Sequence, residues 1–198
     1  MTNWEDHYQR AETPWDKQAA HPFLSHPTWT ERAGAWLVPG CGYGNDAAAL
    51  AQTGATSVQG QDLAPSAIAG AQARYGKLAN LTWAVADFFA MPQHAWAGRF
   101  DGLWEHTCFC AIAPTDRPRY VAAAAAALRP GGLLVACFYL EPWDADEDQT
   151  QGPPFRSEEA ELNLLFSADF VLENSLVPPA TFPGREGREQ VRFLRRQG

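Results

Sequence analysis

The fold of this chain is determined by the stretch Ala35-Trp36-Leu37-Val38-Pro39-Gly40-Cys41-Gly42-Tyr43-Gly44-Asn45-Asp46. Its first four residues are apolar, which predicts a short buried strand of a parallel sheet. Three glycines at alternate positions follow, and glycine adopts backbone conformations that other residues disfavour. The alanine-rich residues 46–52 predict a helix. The stretch is therefore predicted to be a strand, a tight turn and a helix, in which the turn backbone approaches a ligand closely.

The rest of the chain alternates predicted strands with predicted helices. Strands are predicted at residues 56–62, 81–86, 100–105 and 133–140, and helices at 65–75 and 120–128. Ser157 is a suitable N-cap for a further helix through residue 166, after which residues 170–177 and 190–194 predict two closing strands. This alternation predicts an α/β protein with a mostly parallel, doubly wound sheet.

The amino-terminal residues predict a cap on this domain. Trp4 and Tyr8 are four residues apart, which places both rings on one face of a short helix. Residues 12–30 are rich in proline and histidine and predict an irregular linker. We therefore expect a single domain over residues 1–198, with residues 1–30 as an N-terminal helical lid.

Size and charge limit the partners. With 198 residues, 46% of them hydrophobic, the chain can bury the core of one domain. Its formal net charge of -8 argues against nucleic acid, which is bound through clustered cations. The sequence contains neither a run of about 20 apolar residues nor a secretory signal pattern. We expect a cytoplasmic monomer or weak homodimer that acts on a small molecule, without membrane or nucleic-acid partners.

No metal site is predicted. The four cysteines lie in apolar stretches, and Cys108-Phe109-Cys110 lacks the two-residue spacer of redox and zinc pairs. The acidic loop at residues 144–148 resembles the start of a calcium-binding loop. However, Gln149 stands where that loop requires glycine, and Phe155 stands where it requires a bidentate glutamate.

Two carboxylates come at the ends of neighbouring predicted strands. Asp62 ends one strand 18 residues after Gly44, and Asp87 ends the next. Because parallel strands end at the same sheet edge, both are expected beside the glycine turn. There Asp62 can accept ribose hydroxyls, while Asp87 accepts an adenine amine and Phe88 packs on the base. The structural alternatives are a helix cap for Asp62, a turn former for Asp87 and core packing for Phe88.

Several strings resemble known enzymes. The glycine turn and the later turn Arg129-Pro130-Gly131-Gly132 resemble class I S-adenosylmethionine (SAM)-dependent methyltransferases, which usually have a Rossmann-like sheet of seven strands with the last antiparallel. A narrower resemblance, to the thiopurine S-methyltransferase-like family with its thiol and halide methyltransferase members, extends over nearly the whole chain. It is carried by the strings Thr13-Pro14-Trp15-Asp16, Ala86-Asp87-Phe88-Phe89, Phe109-Cys110-Ala111-Ile112 and Gly152-Pro153-Pro154-Phe155.

This resemblance implies a cofactor, a set of site residues and an acceptor class. The cofactor is SAM, and its demethylated product is S-adenosylhomocysteine (SAH). The implied binding residues are Trp4, Trp15, Gly40, Gly42, Gly44, Asp62, Leu63, Asp87 and Phe88, with Trp4 and Trp15 closing over cofactor and substrate. The implied acceptor is a small soft nucleophile: a thiol, hydrosulfide, a selenium or tellurium species, or a halide.

One departure concerns the end of the fourth strand, where thiol and halide members usually have Asp-Tyr and this chain has Glu105-His106. Glu105 is expected to hold the cofactor amino group through a charge-assisted hydrogen bond. His106 and Trp15 are the candidate catalytic residues, against the alternatives of a structural histidine and a core tryptophan. His106 is also a candidate base for an O- or N-methyltransferase.

Two other classes of function remain. One is a SAM-binding module without turnover. The other is a nicotinamide-dependent oxidoreductase, which is disfavoured because the dinucleotide-binding turn requires a third glycine where Asn45 stands.

Overall fold

A computed structural model describes residues 2–27 and 29–198. Its strands are β1 (Ala35–Pro39), β2 (Ser57–Asp62), β3 (Leu81–Val85), β4 (Phe100–His106), β5 (Leu128–Tyr139), β6 (Phe170–Leu176) and β7 (Glu189–Arg196). Its α-helices are α1 (Trp4–Gln9), α2 (Asn45–Gln52), α3 (Pro65–Tyr75), α4 (Arg117–Ala127) and α5 (Glu159–Phe166). Short 3₁₀ turns cover Pro22–Ser25, Phe88–Gln93, Phe109–Ala111 and Pro114–Asp116. None of the helices in the described ranges has the length and apolar character needed to cross a bilayer.

The strands form one seven-stranded sheet in the order β3-β2-β1-β4-β5-β7-β6. Strands β1 to β5 pair in parallel, whereas β7 runs antiparallel to both of its neighbours. The predicted fold class is thereby confirmed. The chain order reverses between β1 and β4, and ligands of such sheets bind beyond the carboxyl ends of the strands at this switch point.

The two faces of the sheet carry separate cores, because successive side chains of a strand point in opposite directions. Leu37, Leu103 and Leu134 pack on one face, under α4 and α5. The alanines of α4 belong to this core, and Ala123, Ala124 and Ala127 are fully buried. Small side chains there let the helix lie close to the sheet. Residues of the opposite face pack against α2 and the turn at Pro22–Ser25: Trp36, Val38, Trp104, Val135 and Cys137.

The segment expected to be an irregular linker contributes to the core. Phe23, Leu24 and Trp29 are at most 2% exposed, and Trp29 stacks on Trp104 with ring centroids 5.3 Å apart. Burying rings of this size contributes roughly 2 kcal/mol each. The prediction of a linker was therefore wrong for the described part of residues 22–29, which packs in the core. The proline content of this segment indicated a linker, but its apolar residues are buried.

Several predicted boundaries also differ, among them the starts of β5 and α5. Strand β5 begins at Leu128 instead of residue 133, since Leu128 pairs with Phe100 before the chain turns at Gly131 (φ 75°). Helix α5 begins at Glu159, and the predicted cap Ser157 makes no capping bond. Its hydroxyl is buried and has no partner among the described residues.

Candidate functional site

The glycine turn after β1 adopts a backbone conformation that other residues disfavour. Gly42 and Gly44 have φ values of 53° and 84°, in the left-handed region that favours glycine. A Cβ atom on Gly44 would lie 2.3 Å from the ring of Trp83, and one on Gly42 would lie 3.0 Å from Tyr8 Oη. Glycine is therefore required at both positions by the backbone conformation and by the packing of Trp83 and Tyr8.

Asp62, at the end of β2, holds this turn in place. Its Oδ2 accepts a hydrogen bond from the Gly42 N–H at 2.9 Å, and its Oδ1 accepts one from the Ala64 N–H at 2.9 Å. Burial raises the pKa of Asp62, and the backbone donors of Ala64 and Gly42 offset part of that increase. A carboxylate has about four lone-pair positions, so ligand hydroxyls can still bind here.

Leu63 and Asp87 lie at the same sheet edge and are accessible. Leu63 is 55% exposed. Asp87 is exposed and accepts a hydrogen bond from the Phe89 N–H at 2.9 Å. Phe88 lies in the core instead, 8% exposed, with its ring centroid 5.2 Å from that of Tyr120. Asp87 is therefore exposed enough to contact a ligand. Phe88 packs in the core, which was the structural alternative to stacking on the base.

The N-terminal cap, defined here as residues 2–16, is fastened to α3. The Glu5 carboxylate accepts hydrogen bonds from the Ser66 N–H at 3.0 Å and the Ser66 hydroxyl at 2.6 Å. A carboxylate at a helix N-terminus is favoured by the helix dipole. Tyr8 packs with Ala64 and Ala67 in a small cluster separate from the two main cores.

The aromatic part of the cap continues to the glycine turn. Trp15 donates a hydrogen bond from Nε1 to Tyr8 Oη at 3.2 Å, and its ring meets Trp4 edge-on at 5.4 Å. Asp16 accepts a bond from the Asn45 side-chain amide at 2.8 Å. Asn45, which stands where a dinucleotide-binding turn needs glycine, therefore holds the cap.

A cavity of about 60 Å³ lies between the cap, the glycine turn and the end of β4. This is room for roughly four water-sized groups. Trp15, Phe182 and His106 line it, together with Gly40, Gly42 and the polar residues near the start of α2. Thr107, also in the wall, has φ 64°, an uncommon conformation for a β-branched residue that is often found at functional sites.

The hydrogen bonds of His106 define its tautomer. Its Nδ1 lies 2.8 Å from Asp46 Oδ2, and its Nε2 lies 3.2 Å from Arg185 Nη1. Arginine has donors only, so Nε2 is the acceptor and Nδ1 carries the proton that is donated to Asp46. The neutral imidazole is therefore held with its lone pair on Nε2.

Asp46, in the first turn of α2, was not predicted as a site residue. Its Oδ2 also accepts a bond from Trp104 Nε1–H at 2.8 Å, and its Oδ1 accepts one from the His21 N–H at 2.7 Å. Burial acts to raise the pKa of Asp46, but His106 and these donors outweigh it and hold the pKa below its ordinary value. The sequence signal was its place directly after the glycine turn.

Behind His106 lies the buried carboxylate of Glu189, which contacts both Arg185 and His21. Glu189 accepts a hydrogen bond from Arg185 Nη1–H at 3.0 Å and lies 3.0 Å from His21 Nε2. Burial acts to raise the pKa of Glu189, but the bonds from His21 and Thr181 lower it to about 2. His21, His106 and Glu189 bring three metal-ligating atoms within 4.8 Å. However, Arg185 contacts two of these residues, and its charge disfavours a second cation there.

Glu105 is directed away from the cavity. It is 1% exposed, and its carboxylate accepts hydrogen bonds from the Phe109 N–H at 2.7 Å and the Tyr120 hydroxyl at 2.6 Å. Burial raises the pKa of Glu105. Because Glu105 and His106 are consecutive in β4, they point to opposite faces of the sheet. We therefore do not retain Glu105 as a cofactor ligand.

Of the residues expected in the site, the structure brings Trp15, Gly40, Gly42 and His106 to the cavity wall. Asp62, Leu63 and Asp87 lie along the adjoining edge at the ends of β2 and β3, and Trp4 supports Trp15. Asp46, which was not expected, also lies in the cavity wall. His21, Arg185 and Glu189 were not expected either, and they lie buried behind His106.

Proteins of known structure share this fold. An alignment with N-methyltransferase NodS from Bradyrhizobium japonicum in complex with SAH has a TM-score of 0.73 at 18% identity and covers 100% of each chain. A structure that concerns the conversion of a disulfide bond into a thioacetal group during echinomycin biosynthesis has a TM-score of 0.77 at 22% identity, covering 98% of this chain and 91% of that one. At these identities the likeness establishes the fold.

Sequence comparison establishes the family. Thiocyanate methyltransferase 1 of Arabidopsis thaliana is 32% identical over 200 residues, which cover 95% of this chain and 82% of the relative. A thiopurine S-methyltransferase of Azotobacter vinelandii is 28% identical over 212 residues, covering 98% and 91%. The model of the family described as Thiopurine S-methyltransferase (TPMT) matches residues 1–192. The chain therefore belongs to the thiopurine S-methyltransferase family and is a SAM-dependent methyltransferase.

Proposed function

We propose that this methyltransferase transfers the methyl group of SAM to a small soft nucleophile of the thiol type, in the cavity beneath Trp15. The observation that carries the proposal is the cavity itself, which measures about 60 Å³ and has His106 and Phe182 in its wall. A space of this size favours an acceptor of a few heavy atoms. The thiocyanate and thiopurine methyltransferases to which the chain is similar are both named for sulfur-containing acceptors.

In this proposal the cofactor lies along the edge formed by the ends of β1, β2 and β3. The glycine turn at Gly40, Gly42 and Gly44 lies beside it, and Asp62 accepts its ribose hydroxyls. Leu63 and Asp87 contact the adenine, while Phe88 supports that wall from the core. Trp15 closes the site from the cap, with Trp4 packed behind it.

Bound SAM supplies a methyl group on a positively charged sulfur. The chain aligns the acceptor with that group and excludes water, since in-line displacement depends mainly on positioning and desolvation. The rings of Trp15 and Phe182 favour a nearby cation through their quadrupoles. Thiols suit such a site because they are intrinsically strong nucleophiles.

Cytoplasmic location and a monomeric or weakly dimeric state remain part of the proposal. All four cysteines are free thiols, which is consistent with a reducing compartment. The two most buried of them, Cys110 and Cys137, pack within the domain.

Acceptor class can be tested by SAM turnover across a panel of small molecules. We expect SAH release with thiols, hydrosulfide, thiocyanate and iodide, and at least about 100-fold lower kcat/KM with alcohols and amines of matched size, because those lack an easily formed soft anion. Liquid chromatography of SAH measures the release. Turnover of alcohols or amines without turnover of any sulfur or halide acceptor contradicts the proposed acceptor class.

A further inference from the structure

We propose that Phe182 limits the size of the methyl acceptor, so that the enzyme favours compact thiols over thiols that carry a bulky group near the sulfur. The proposal rests on the proposed function, because it concerns the same cavity and the same acceptor class. It gives a specificity role to the loop between β6 and β7, which is defined here as residues 177–188.

The fold places Phe182 on the acceptor side of the cavity. In the proposed function the cofactor lies along the ends of β1, β2 and β3. Phe182 lines the cavity together with His106 and Thr107, which lie at the end of β4, beyond the point where the strand order reverses. The group that has to fit between Phe182 and the cofactor is therefore the acceptor.

The ring of Phe182 packs on a side chain that is itself held in place. It stacks on the His106 ring, with centroids 6.0 Å apart and 23° between the planes, and His21 meets it edge-on at 5.5 Å. Both nitrogens of His106 are occupied, Nδ1 by Asp46 and Nε2 by Arg185. His106 therefore supports this wall, since neither nitrogen is left for a proton of the acceptor.

The loop is anchored on both sides of Phe182. Thr181, the preceding residue, donates a hydrogen bond from its hydroxyl to Glu189 Oε2. The Arg185 N–H donates to the Phe182 carbonyl at 3.0 Å, and Arg185 Nη1 donates to Glu189 Oε1 at 3.0 Å. The Glu189 side chain is fully buried, and breaking a buried ion pair is strongly unfavourable. The loop therefore holds the Phe182 ring as a fixed wall.

The rings of Trp15 and Tyr43, which also line the cavity, lie on its other side. Trp15 belongs to the N-terminal cap and packs with Tyr8 and Tyr43 in the small cluster outside the two cores. Tyr43 belongs to the glycine turn, and the Arg74 guanidinium lies over its ring at 4.1 Å. Among the described residues of the wall, Phe182 is therefore the aromatic residue that faces the acceptor.

Removal of the Phe182 ring changes the available space by an amount comparable with the cavity itself. The cavity measures about 60 Å³, and truncation of a large buried side chain leaves additional space on the order of 100 Å³. A cavity of roughly 150 Å³ accommodates benzene. The truncated variant therefore has room for a phenyl substituent that the wild-type cavity lacks.

The test compares ethanethiol with phenylmethanethiol, two primary alkyl thiols of different bulk, by SAH release from the wild type and from Phe182→Ala. We expect the phenylmethanethiol-to-ethanethiol ratio of kcat/KM to rise at least about 10-fold in the variant, because the steric limit is removed. Phe182→Leu should give a smaller rise, and Phe182→Trp should give a fall. A general loss of alignment or of attraction for the cofactor cation affects both thiols alike and cancels in the ratio.

The matched control is Val177→Ala, on the same loop, where the side chain is 62% exposed and does not line the cavity. It should leave the ratio unchanged. Thermal unfolding shows which variants are folded, and Phe182→Leu and Phe182→Trp supply the result if Phe182→Ala does not fold. A ratio that does not rise in folded Phe182→Ala or Phe182→Leu, does not fall in folded Phe182→Trp, or rises equally in Val177→Ala overturns the size-limiting role. Absence of wild-type turnover with ethanethiol instead overturns the proposed function.

Discussion

Deletion of residues 1–16 should lower methyl transfer by on the order of 100-fold or more while the rest of the domain stays folded. The cap supplies Trp15 to the cavity wall, and misplacement of a group that aligns reactants costs about that much. Tyr8 packs in a cluster of its own with Ala64 and Ala67, so both cores of the sheet remain intact. The truncation has to end before Phe23, which is fully buried.

The measurement is SAH release at saturating SAM, together with circular dichroism and thermal unfolding of the truncated chain. Glu12→Ala, on an exposed position within the cap, is the control and should retain full turnover. Full turnover by a folded, truncated chain contradicts the closing role of the cap. It would also remove Trp4 and Trp15 from the proposed site.

Glu105→Ala should lower the free energy of unfolding by about 3 kcal/mol, because it leaves two buried donors without an acceptor. These donors are the Phe109 N–H and the Tyr120 hydroxyl, which both bind the Glu105 carboxylate. Glu105→Gln keeps an oxygen for one of them and serves as the milder, near-isosteric control. SAH affinity should be unchanged in Glu105→Gln, since this side chain points away from the cavity.

Chemical denaturation gives the stability of the two variants, and calorimetry gives their SAH affinity. A loss of affinity of 10-fold or more in Glu105→Gln, with stability unchanged, contradicts this assignment. Such a result would return Glu105 to the cofactor amino group, where the pattern of the sequence alone placed it.

The order of strands and helices was predictable because each element carries its own periodicity. Parallel pairing followed from the alternation of strands with helices, and the turn at Gly42 followed from residues adjacent in the chain. The start of β5 was missed because Leu128 pairs with Phe100 across the sheet before a glycine turn. The burial of Trp29 against Trp104 was missed because it depends on residues far away in the sequence.

The positions of candidate site residues were predictable where one strand end carried the signal, as at Asp62 and His106. Glu189 and His21 are separated by 168 positions, and no local pattern relates them. Asp46 was within the quoted glycine stretch, but its role depends on β4 bringing Trp104 and His106 to it. The alternation of side chains along β4 would have separated Glu105 from His106 without any structure.

The most direct test of the central claim, that the cofactor SAM is held by the glycine turn and Asp62, is titration calorimetry with SAH. We predict micromolar binding to the wild-type chain, roughly -8 kcal/mol at 1 μM. Asp62→Ala should weaken binding by about 1–3 kcal/mol, because ribose hydroxyls lose a charged acceptor and the Gly42 N–H loses its partner. Unchanged affinity in Asp62→Ala, or tighter binding of NAD than of SAH by the wild type, would contradict the account.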